Sequence, residues 1–336
     1  MSDAESKAEP KSGPVHRFFT HRLPYFAYRT GEVIAPRLPL AIGLPITGAI
    51  GRASAYALPW RAKVVKRHQR RVRPDASDAV IRRATNEAFA SYTRYWYEMF
   101  RLPRDAQRPL TRFTVEGFEH IEKGIADGKG VILALPHVGG WEYAGAWLTQ
   151  QGLPPVVVVE PVEPPELFQL FERERKAMGM EIIPLGPDAA ARCLKALADN
   201  RVLCLLCDRD IGGDGIEVDF LGERTTLPAG PAVFALRSGA PVLPTAVYFD
   251  GRSNSAVIAP PIPADRQGRL RDDVVRFTER LAQALEGLIR RAPEQWHMMQ
   301  PNWPSDRGEP AHPAASTPGA GADAPAEAPD SQPMGH

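Results

Sequence analysis

The chain has 336 residues, of which 43% are apolar and 24% charged, with 41 Lys and Arg against 40 Asp and Glu. This length can bury a sizeable core as one large α/β domain or two smaller ones. The near-balanced charge gives no case for a nucleic-acid partner, so any anionic partner must be met by a local basic patch. Three cysteines are too few, and odd in number, for a disulfide framework, which favours a reducing compartment.

The two ends of the chain differ in composition from the rest. Residues 1–14 are polar and charged, without the apolar segment of a secretory signal, and we expect them to be disordered. We expect the same of residues 305–336, a tail rich in Pro, Ala, Gly and Asp. Residues 15–304 are therefore predicted to form a single domain. No run reaches the ~18 to 20 apolar residues of a membrane span. The nearest, residues 38–50, contains Pro39 and Pro45, which argue against a regular spanning helix.

Within that domain, residues 15–75 combine an apolar stretch with a basic one. Residues 25–60 are apolar with scattered arginine and proline, and residues 61–73 then carry seven Lys or Arg and one His. This order suits an interfacial segment whose apolar part enters the headgroup layer while its cations meet anionic lipid. It is equally typical of a core helix followed by a solvated basic helix, and the pattern alone does not separate the two interpretations.

Residues 79–102 are predicted to form a helix. Asp75 or Ser77 is placed to cap its start, and Pro103 follows its end. Core packing is the default use of its apolar stripe. The stripe residues recur at helical spacing, with three aromatic side chains beside them: Val80, Ala84, Ala88, Tyr92, Tyr95 and Met99, flanked by Phe89, Trp96 and Phe100.

From residue 113 onward, short apolar runs alternate with helical segments. Strands that alternate with helices of 10 to 15 residues predict a mainly parallel central sheet with helices on both faces. The predicted strands are residues 130–136, 155–160, 181–185, 202–207, 215–220 (an alternating segment) and 241–249. The predicted helices are residues 141–151, 164–178, 189–200, 228–238 and 271–291.

His137 lies where the first of these strands ends and a helix begins, in the segment His-Val-Gly-Gly-Trp-Glu. Ligands of open parallel sheets gather at such positions. Gly139 and Gly140 allow a tight turn and close approach of a substrate because they lack a Cβ atom. A histidine can take a proton from a hydroxyl as that hydroxyl attacks a carbonyl, and Glu142 is near enough in sequence to fold back onto the other ring nitrogen.

The spacing of His137 and Glu142 is weak evidence by itself. Eight histidines and 40 acidic residues in 336 give about one such pair by chance (8 × 40/336). The position of His137 behind a strand and before a glycine pair therefore carries the prediction of a catalytic base. A structural histidine is the alternative.

Three charged residues, Asp208, Arg209 and Asp210, follow the predicted strand at 202–207. Buried without partners they would cost several kcal/mol, and they fit the same edge of the sheet as His137. Three interpretations remain open. The residues shape the site and hold an anionic group through Arg209, they bind a divalent cation through Asp208 and Asp210, or they form a local ion pair that fixes the next loop.

Other chemical motifs are absent or weak. The sequence contains no P-loop, Gly-x-Gly-x-x-Gly, Gly-x-Ser-x-Gly or His-Glu-x-x-His motif. Cys204 and Cys207 have CxxC spacing, but they belong to a buried strand and no second pair or histidine cluster accompanies them, which favours a structural role over a zinc or redox site. An acid/base histidine that uses no cofactor is the chemistry that remains.

Several linked segments carry a resemblance to a known family. "LPHVGGWEYAG", "RERKAMGMEIIPL" and "VLCLLCDRDIGGDGIEVDFLGERTTLPAGPAVFALRSGAPVLPT", in this order, resemble the bacterial lipid A biosynthesis acyltransferases, and most of all their actinobacterial branch, the phosphatidylinositol mannoside acyltransferases. The resemblance covers roughly residues 20–300. It implies a glycerolipid-acyltransferase-like α/β fold on the inner face of the plasma membrane.

The resemblance also implies a reaction and a set of site residues. The reaction transfers a palmitoyl group from acyl-CoA, the co-substrate, to a mannose hydroxyl of a phosphatidylinositol mannoside. The His-x4-acid pair of the family maps onto His137 and Glu142, although many relatives have Asp in the second position. A family arginine maps onto Arg175, and a further family acid maps onto Glu217 with Asp208 as its rival.

The predicted mechanism is direct transfer without a cofactor. His137 deprotonates the hydroxyl, Glu142 steadies the imidazolium, and backbone N–H groups or an arginine stabilise the oxyanion. We expect the helix at 79–102 to line the acyl groove and the basic segment at 61–73 to hold anionic lipid or the phosphates of CoA. The residues predicted to contact the substrates are Gly139, Gly140, Trp141, Arg175, Asp208, Arg209 and Glu217.

Two further classes compete with this prediction. A metal-dependent glycosyltransferase would use Asp208 and Asp210, and a non-catalytic protein on the membrane surface would bind lipid without turnover. A thioesterase is a neighbour of the main prediction because water would replace the sugar hydroxyl.

Overall fold

A computed structural model of the chain describes residues 23–104 and 113–311. Most of the predicted disordered ends, residues 1–14 and 312–336, lie outside the described residues. The tail predicted from residue 305 differs at its start, because a 3₁₀ helix spans Pro304–Arg307. The Asp306 carboxylate there accepts a hydrogen bond from the N–H of Asn302 at 3.2 Å and contacts the His68 ring at 2.9 Å.

The first described part of the chain is helical. It comprises α1 (Leu23–Ile34), α2 (Leu40–Ala57), α3 (Pro59–Val72) and α4 (Asp78–Arg101). Helix α4 confirms the prediction for residues 79–102, and Ser77 caps it by accepting the N–H of Val80. Helix α2 runs through Pro45 despite the two prolines. Among the described helices, none is long and apolar enough to cross a bilayer.

Helix α2 lies directly on α4 because small residues allow it. A Cβ atom at Gly51 would lie 2.5 Å from the Cα atom of Ala90, so only glycine fits at this contact. The opposite side of α2 leaves Ile42, Ile46 and Ile50 exposed at a spacing of four residues. The helix therefore packs through its glycines and presents its isoleucines outward.

The rest of the chain alternates strands and helices, as predicted. The strands are β1 (Phe113–Glu116), β2 (Val131–Leu135), β3 (Val156–Val159), β4 (Glu181–Pro184), β5 (Val202–Leu206), β6 (Ile216–Phe220), β7 (Glu223–Leu227), β8 (Val242–Asp250) and β9 (Ser253–Ile258). The helices are α5 (Phe118–Ala126), α6 (Trp141–Gln150), α7 (Pro165–Ala177), α8 (Ala189–Ala198), α9 (Gly230–Ser238) and α10 (Leu270–Arg291).

Within the described residues, seven strands form a mainly parallel sheet in the order β1-β9-β8-β2-β5-β3-β4. The antiparallel step is β8–β9, a tight hairpin that the sequence pattern did not reveal. The alternating segment at 215–220 does not join this sheet. It forms β6, which pairs with β7 in a separate two-stranded sheet, because an alternating strand has one polar face and does not suit a sheet covered on both sides.

Both faces of the central sheet are covered. Alternate residues of β2 belong to two different apolar clusters, Ile132 and Ala134 on one side and Val131, Leu133 and Leu135 on the other. Helices α8, α9 and α10 pack on the first side, and α5 and α6 pack on the second. The carboxyl ends of β2, β5 and β3 are therefore framed by helices, and the site lies there.

Candidate active site

His137 follows β2 in a loop that a C-terminal segment holds in place. Val138 forms an isolated antiparallel bridge with Trp296, and the N–H of Gly139 donates to the carbonyl of Gln295 at 3.0 Å. Gly139 has a φ of +60°, and a Cβ atom there would lie 2.1 Å from the carbonyl oxygen of Val247. Glycine is required here for both reasons.

The carboxylate that contacts the His137 ring is Asp208. Its Oδ1 lies 2.6 Å from Nδ1 of His137, and its Oδ2 accepts the backbone N–H of His137 at 2.9 Å. Because Asp208 is ionised, Nδ1 carries the proton of this contact and Nε2 is left as the basic nitrogen. The His137 side chain is 25% exposed and the Asp208 side chain is fully buried.

Asp208 is supported by the segment that follows α10. The Nε1–H of Trp296 donates to Oδ2 at 2.7 Å, and the side-chain amide of Asn302 donates to the backbone carbonyl of Asp208 at 3.0 Å. Burial pushes the pKa of Asp208 upward, but the charge of His137 and the hydrogen bonds from His137 and Trp296 outweigh it and hold the pKa below its usual value. Asp208 is thus a charged partner that keeps His137 in one tautomer.

Glu142 has different partners from those predicted. Its Oε1 accepts hydrogen bonds from Nη2 of Arg175 at 2.7 Å and from the hydroxyl of Tyr95 at 2.9 Å. The carboxylate is almost completely buried. As the second residue of α6, Glu142 is directed towards α4 and α7 rather than back towards the loop of His137. Burial disfavours the charge of Arg175, yet Glu142 outweighs this effect and raises the arginine pKa above its usual value.

The other charged residues predicted for the site lie apart from one another. Arg209 lines the cavity beside His137 and pairs with Glu160. Asp210 accepts the N–H groups of Gly213 at 3.0 Å and Gly215 at 2.9 Å, so it shapes the following loop. Glu217 lies on β6 with its side chain 77% exposed, and its nearest described cation, Arg224, is 3.7 Å away.

A cavity of about 800 Å³ lies beside His137. Trp141 lines it and stacks on Tyr95 with ring centroids 4.2 Å apart. Apolar residues from β3, β5, α8 and α9 form one part of the lining, and aromatic residues from α1, α4 and α7 form another. These are Val158, Leu205, Ala189, Cys193 and Phe234, and then Tyr28, Tyr92, Trp96 and Phe171. The volume is in the range of cavities that hold small-molecule ligands.

The two aspartates of the Asp-x-Asp segment do not face one ligand position. Asp208 is bonded to His137 and Trp296, and Asp210 to two backbone N–H groups. Within residues 23–104 and 113–311, no three His, Cys, Asp or Glu side chains are grouped as metal ligands would be. Cys204 and Cys207 are unbridged. Burial raises the pKa of the Cys204 thiol to about 12, which disfavours the thiolate.

Sequence reasoning did not identify the residues after α10. Trp296, His297 and Asn302 all contact the loop of His137 or Asp208. Their segment, "EQWHMMQPNW", follows the last helix and belongs to no strand. The only feature of the sequence that could have indicated a functional role for this segment was its two tryptophans and one histidine, grouped outside any predicted strand or helix.

Comparisons with known proteins identify the family of the chain. A family model described as bacterial lipid A biosynthesis acyltransferase matches residues 18–305. A phosphatidylinositol mannoside acyltransferase of Mycobacterium tuberculosis (strain CDC 1551 / Oshkosh) is 39% identical over 226 residues, which cover 65% of this chain and 70% of that protein. One of Mycolicibacterium smegmatis is 34% identical over 287 residues, 83% of this chain and 91% of that protein.

A lipid A biosynthesis acyltransferase of Haemophilus influenzae is 27% identical over 184 residues, which cover 54% of this chain and 55% of that protein. The family model spans most of the chain, including every strand of the central sheet and both members of the His137–Asp208 pair. The chain belongs to the bacterial lipid A biosynthesis acyltransferase family.

Proposed function

We propose that this acyltransferase transfers a palmitoyl group from acyl-CoA to a mannose hydroxyl of phosphatidylinositol mannosides, with His137 as the general base. The observation that carries the proposal is the 2.6 Å contact between His137 and Asp208 at the wall of a large, mainly apolar cavity. The names of the mycobacterial relatives support the choice of acceptor.

The reaction proceeds by direct transfer. Nε2 of His137 takes the proton of the mannose hydroxyl while the hydroxyl oxygen attacks the thioester carbonyl carbon. The tetrahedral intermediate then collapses, the carbon–sulfur bond breaks, and the CoA sulfur leaves with the proton from the imidazolium. Asp208 stabilises the imidazolium through Nδ1–H and keeps Nε2 free before the reaction.

The predicted role of Glu142 passes to Asp208 in this mechanism. Glu142 and Arg175 act as a buried ion pair that holds α6 against α4 and α7, which positions Trp141 beside His137. Trp141 and Arg209 are the proposed substrate contacts, since both line the cavity. Gly139 and Gly140 do not line the cavity; they fit the loop of His137 against Val247 and Phe249. Glu217 has no part in the proposed site.

The cavity suggests where each substrate lies. Its apolar lining, which includes Val158, Leu205 and Phe234, suits the acyl chain. Its aromatic part, around Tyr92 and Trp96, suits the acceptor sugar, since flat rings pack well on the C–H faces of a sugar ring. His137 lines the same cavity.

Helices α1 to α3 suit a peripheral position on the cytoplasmic face of the plasma membrane. Nine large apolar side chains are exposed there: Phe26, Val33, Ile34, Ile42, Ile46, Ile50, Tyr56, Leu58 and Trp60. The basic segment is only partly available to lipid, because four of its arginines pair with acids: Arg67, Arg70, Arg71 and Arg73. Lys63 and Lys66 are exposed and suit anionic headgroups.

The test is an incubation of the purified chain with palmitoyl-CoA and mono- or dimannosylated phosphatidylinositol, followed by mass spectrometry of the lipid products. We expect a product heavier by one palmitoyl group, and its loss by at least about 10³-fold in His137→Ala. Thioester loss that is equal with and without glycolipid would identify a thioesterase instead. Transfer that is lost in chelator would show that the reaction needs a metal ion, which the proposed mechanism does not.

A further inference from the structure

His297 lies directly opposite His137 in the structure. The bridge between Val138 and Trp296 is antiparallel, so the neighbouring residues 137 and 297 lie opposite each other. The N–H of His297 donates to the carbonyl of His137 at 2.7 Å. Opposite residues of an antiparallel pair project their side chains from the same face. Both histidines line the cavity.

Among the described residues, one ring nitrogen of His297 has a hydrogen-bond partner and the other has none. Its Nε2 lies 2.8 Å from the hydroxyl oxygen of Ser91 on α4. Its Nδ1 is buried and has no hydrogen-bond partner among the described residues. The rings of Tyr95, Trp141 and Phe249 surround it at centroid distances of 5.8 to 6.3 Å. An unmade hydrogen bond at a buried position is costly, so a group that supplies this bond on binding gains free energy.

The Ser91 hydroxyl determines which nitrogen of His297 carries the proton. Ser91 makes no other hydrogen bond among the described residues, so we infer that its hydroxyl donates to Nε2 of His297. Nε2 then accepts and Nδ1 carries the hydrogen of a neutral imidazole. Burial, together with the charge of His137, lowers the pKa of His297 to about 3, so the ring stays neutral.

In the loop of His137, the backbone N–H groups of residues 137 to 139 all have acceptors, so none of them is left to bind an oxyanion. The N–H of His137 donates to Asp208, that of Val138 to the carbonyl of Pro136, and that of Gly139 to the carbonyl of Gln295. The N–H groups of these three residues are therefore already used and are not available to a developing negative charge on the thioester oxygen.

Three buried side-chain nitrogen atoms in the cavity wall lack a hydrogen-bond partner in the described part of the chain. They are Nε1 of Trp96, Nε of Arg209 and Nδ1 of His297. Trp96 packs among Tyr28, Phe100 and Phe171, and the guanidinium of Arg209 is held by Glu160. His297 is the one that stands opposite the base.

We propose that His297 is a second catalytic residue, which donates a hydrogen bond from Nδ1 to the thioester carbonyl oxygen and stabilises the oxyanion of the acyl transfer. It keeps its proton throughout, so the proton balance of the reaction is carried by His137 alone. The proposal rests on the acyl transfer proposed above. A neutral imidazole suits this role because it donates without exchanging a proton with the base beside it.

Two amide variants of His297 separate this role from a structural one. In His297→Asn the amide nitrogen is attached to the carbon that bears Nδ1 in histidine, so a donor remains near the original position. In His297→Gln the extra methylene moves the amide away towards the position of Nε2. We expect kcat to fall by about 10²- to 10³-fold in the Gln variant and by less than about tenfold in the Asn variant, with KM for both substrates within about threefold.

The outcomes of the assay separate the two proposals. Equal kcat losses in the Asn and Gln variants, a change confined to KM, or a kcat within threefold of the parent in the Gln variant would overturn the role of His297. A 10²-fold loss of kcat in Arg209→Gln, with both His297 variants active, would also overturn it.

If neither His297 variant folds, Ser91→Ala decides: a drop in kcat of threefold or more supports the role, and an unchanged kcat overturns it. A parent chain that forms no acylated glycolipid contradicts the acyl transfer itself.

Discussion

His137 and Asp208 are brought together by the register of two neighbouring strands. Leu135 of β2 pairs with Leu206 of β5 in parallel, and each functional residue comes two positions after its strand. The side chains meet at 2.6 Å although 71 residues separate them in the chain. The contact follows from this register, because parallel strands end at the same edge of the sheet.

Asp208→Asn should lower kcat by about 10³-fold or more, because an amide neither stabilises the imidazolium nor fixes its tautomer. The matched variant is Glu217→Gln, which removes the other acid that the family resemblance suggested. We expect its kcat to stay within about twofold, since Glu217 is 77% exposed on β6. Steady-state assays of acyl transfer decide between them, and the reverse ranking would return the role to Glu217.

Arg175→Met should destabilise the fold more than it damages the chemistry. The change leaves the buried carboxylate of Glu142 with the Tyr95 hydroxyl but without its cation, and breaking a buried pair costs about 3 to 5 kcal/mol. Urea unfolding measures the loss. Glu142→Gln should cost a similar amount, because it leaves the buried guanidinium of Arg175 without its carboxylate. A Glu142→Gln variant of normal stability but without activity would show that Glu142 takes part in the reaction.

Trp296→Phe should remove a hydrogen bond to a charged group and keep the packing of the ring. We expect the free energy of unfolding to fall by about 1.5 to 3 kcal/mol, since the Nε1–H of Trp296 donates to Asp208 at 2.7 Å. The kcat should fall less than in Asp208→Asn, because His137 still holds the carboxylate. Equal kcat losses in the two variants would show that Trp296 is as essential to the site as the carboxylate.

His297 should make the stability of the protein depend on pH. Its pKa is about 3 in the folded protein and about 6.5 when unfolded. Between these values only the unfolded chain binds the proton, so stability is lost as the pH falls below about 6.5, at about 1.4 kcal/mol per pH unit. His297→Asn should remove this part of the slope. Urea unfolding of both proteins at pH 6.5, 6.0, 5.5 and 5.0 gives the comparison, and parallel slopes would contradict it.

The triple variant Ile42→Ser, Ile46→Ser and Ile50→Ser should weaken binding to vesicles of anionic phospholipid. Each side chain is about half exposed on α2, and its insertion contributes about 1 kcal/mol. We therefore expect at least a tenfold loss of affinity in vesicle sedimentation. Val80→Ser, an apolar residue of similar exposure on α4, is the control and should bind within twofold of the parent. Unchanged binding of the triple variant would mean that another surface meets the lipid.

Local patterns identified most regular elements because each depends on neighbours in the chain. The stripe of α4 has a helical period, and runs such as "VILAL" and "VLCLL" are apolar throughout because both faces of their strands are covered. The tight hairpin of β8 and β9 and the separate pair of β6 and β7 were missed, since strand partners depend on contacts that a local pattern does not contain.

The sequence alone predicts His137 as the base, because it follows a buried strand and precedes a glycine pair, and both features are local. The identity of its partner was decided only by the tertiary structure. Glu142 is closer in sequence, yet the direction of α6 places its carboxylate against Arg175. The register of β2 with β5 places the carboxylate of Asp208 against His137 instead. The same holds for Trp296 and His297, which reach the site through an antiparallel bridge between segments about 160 residues apart.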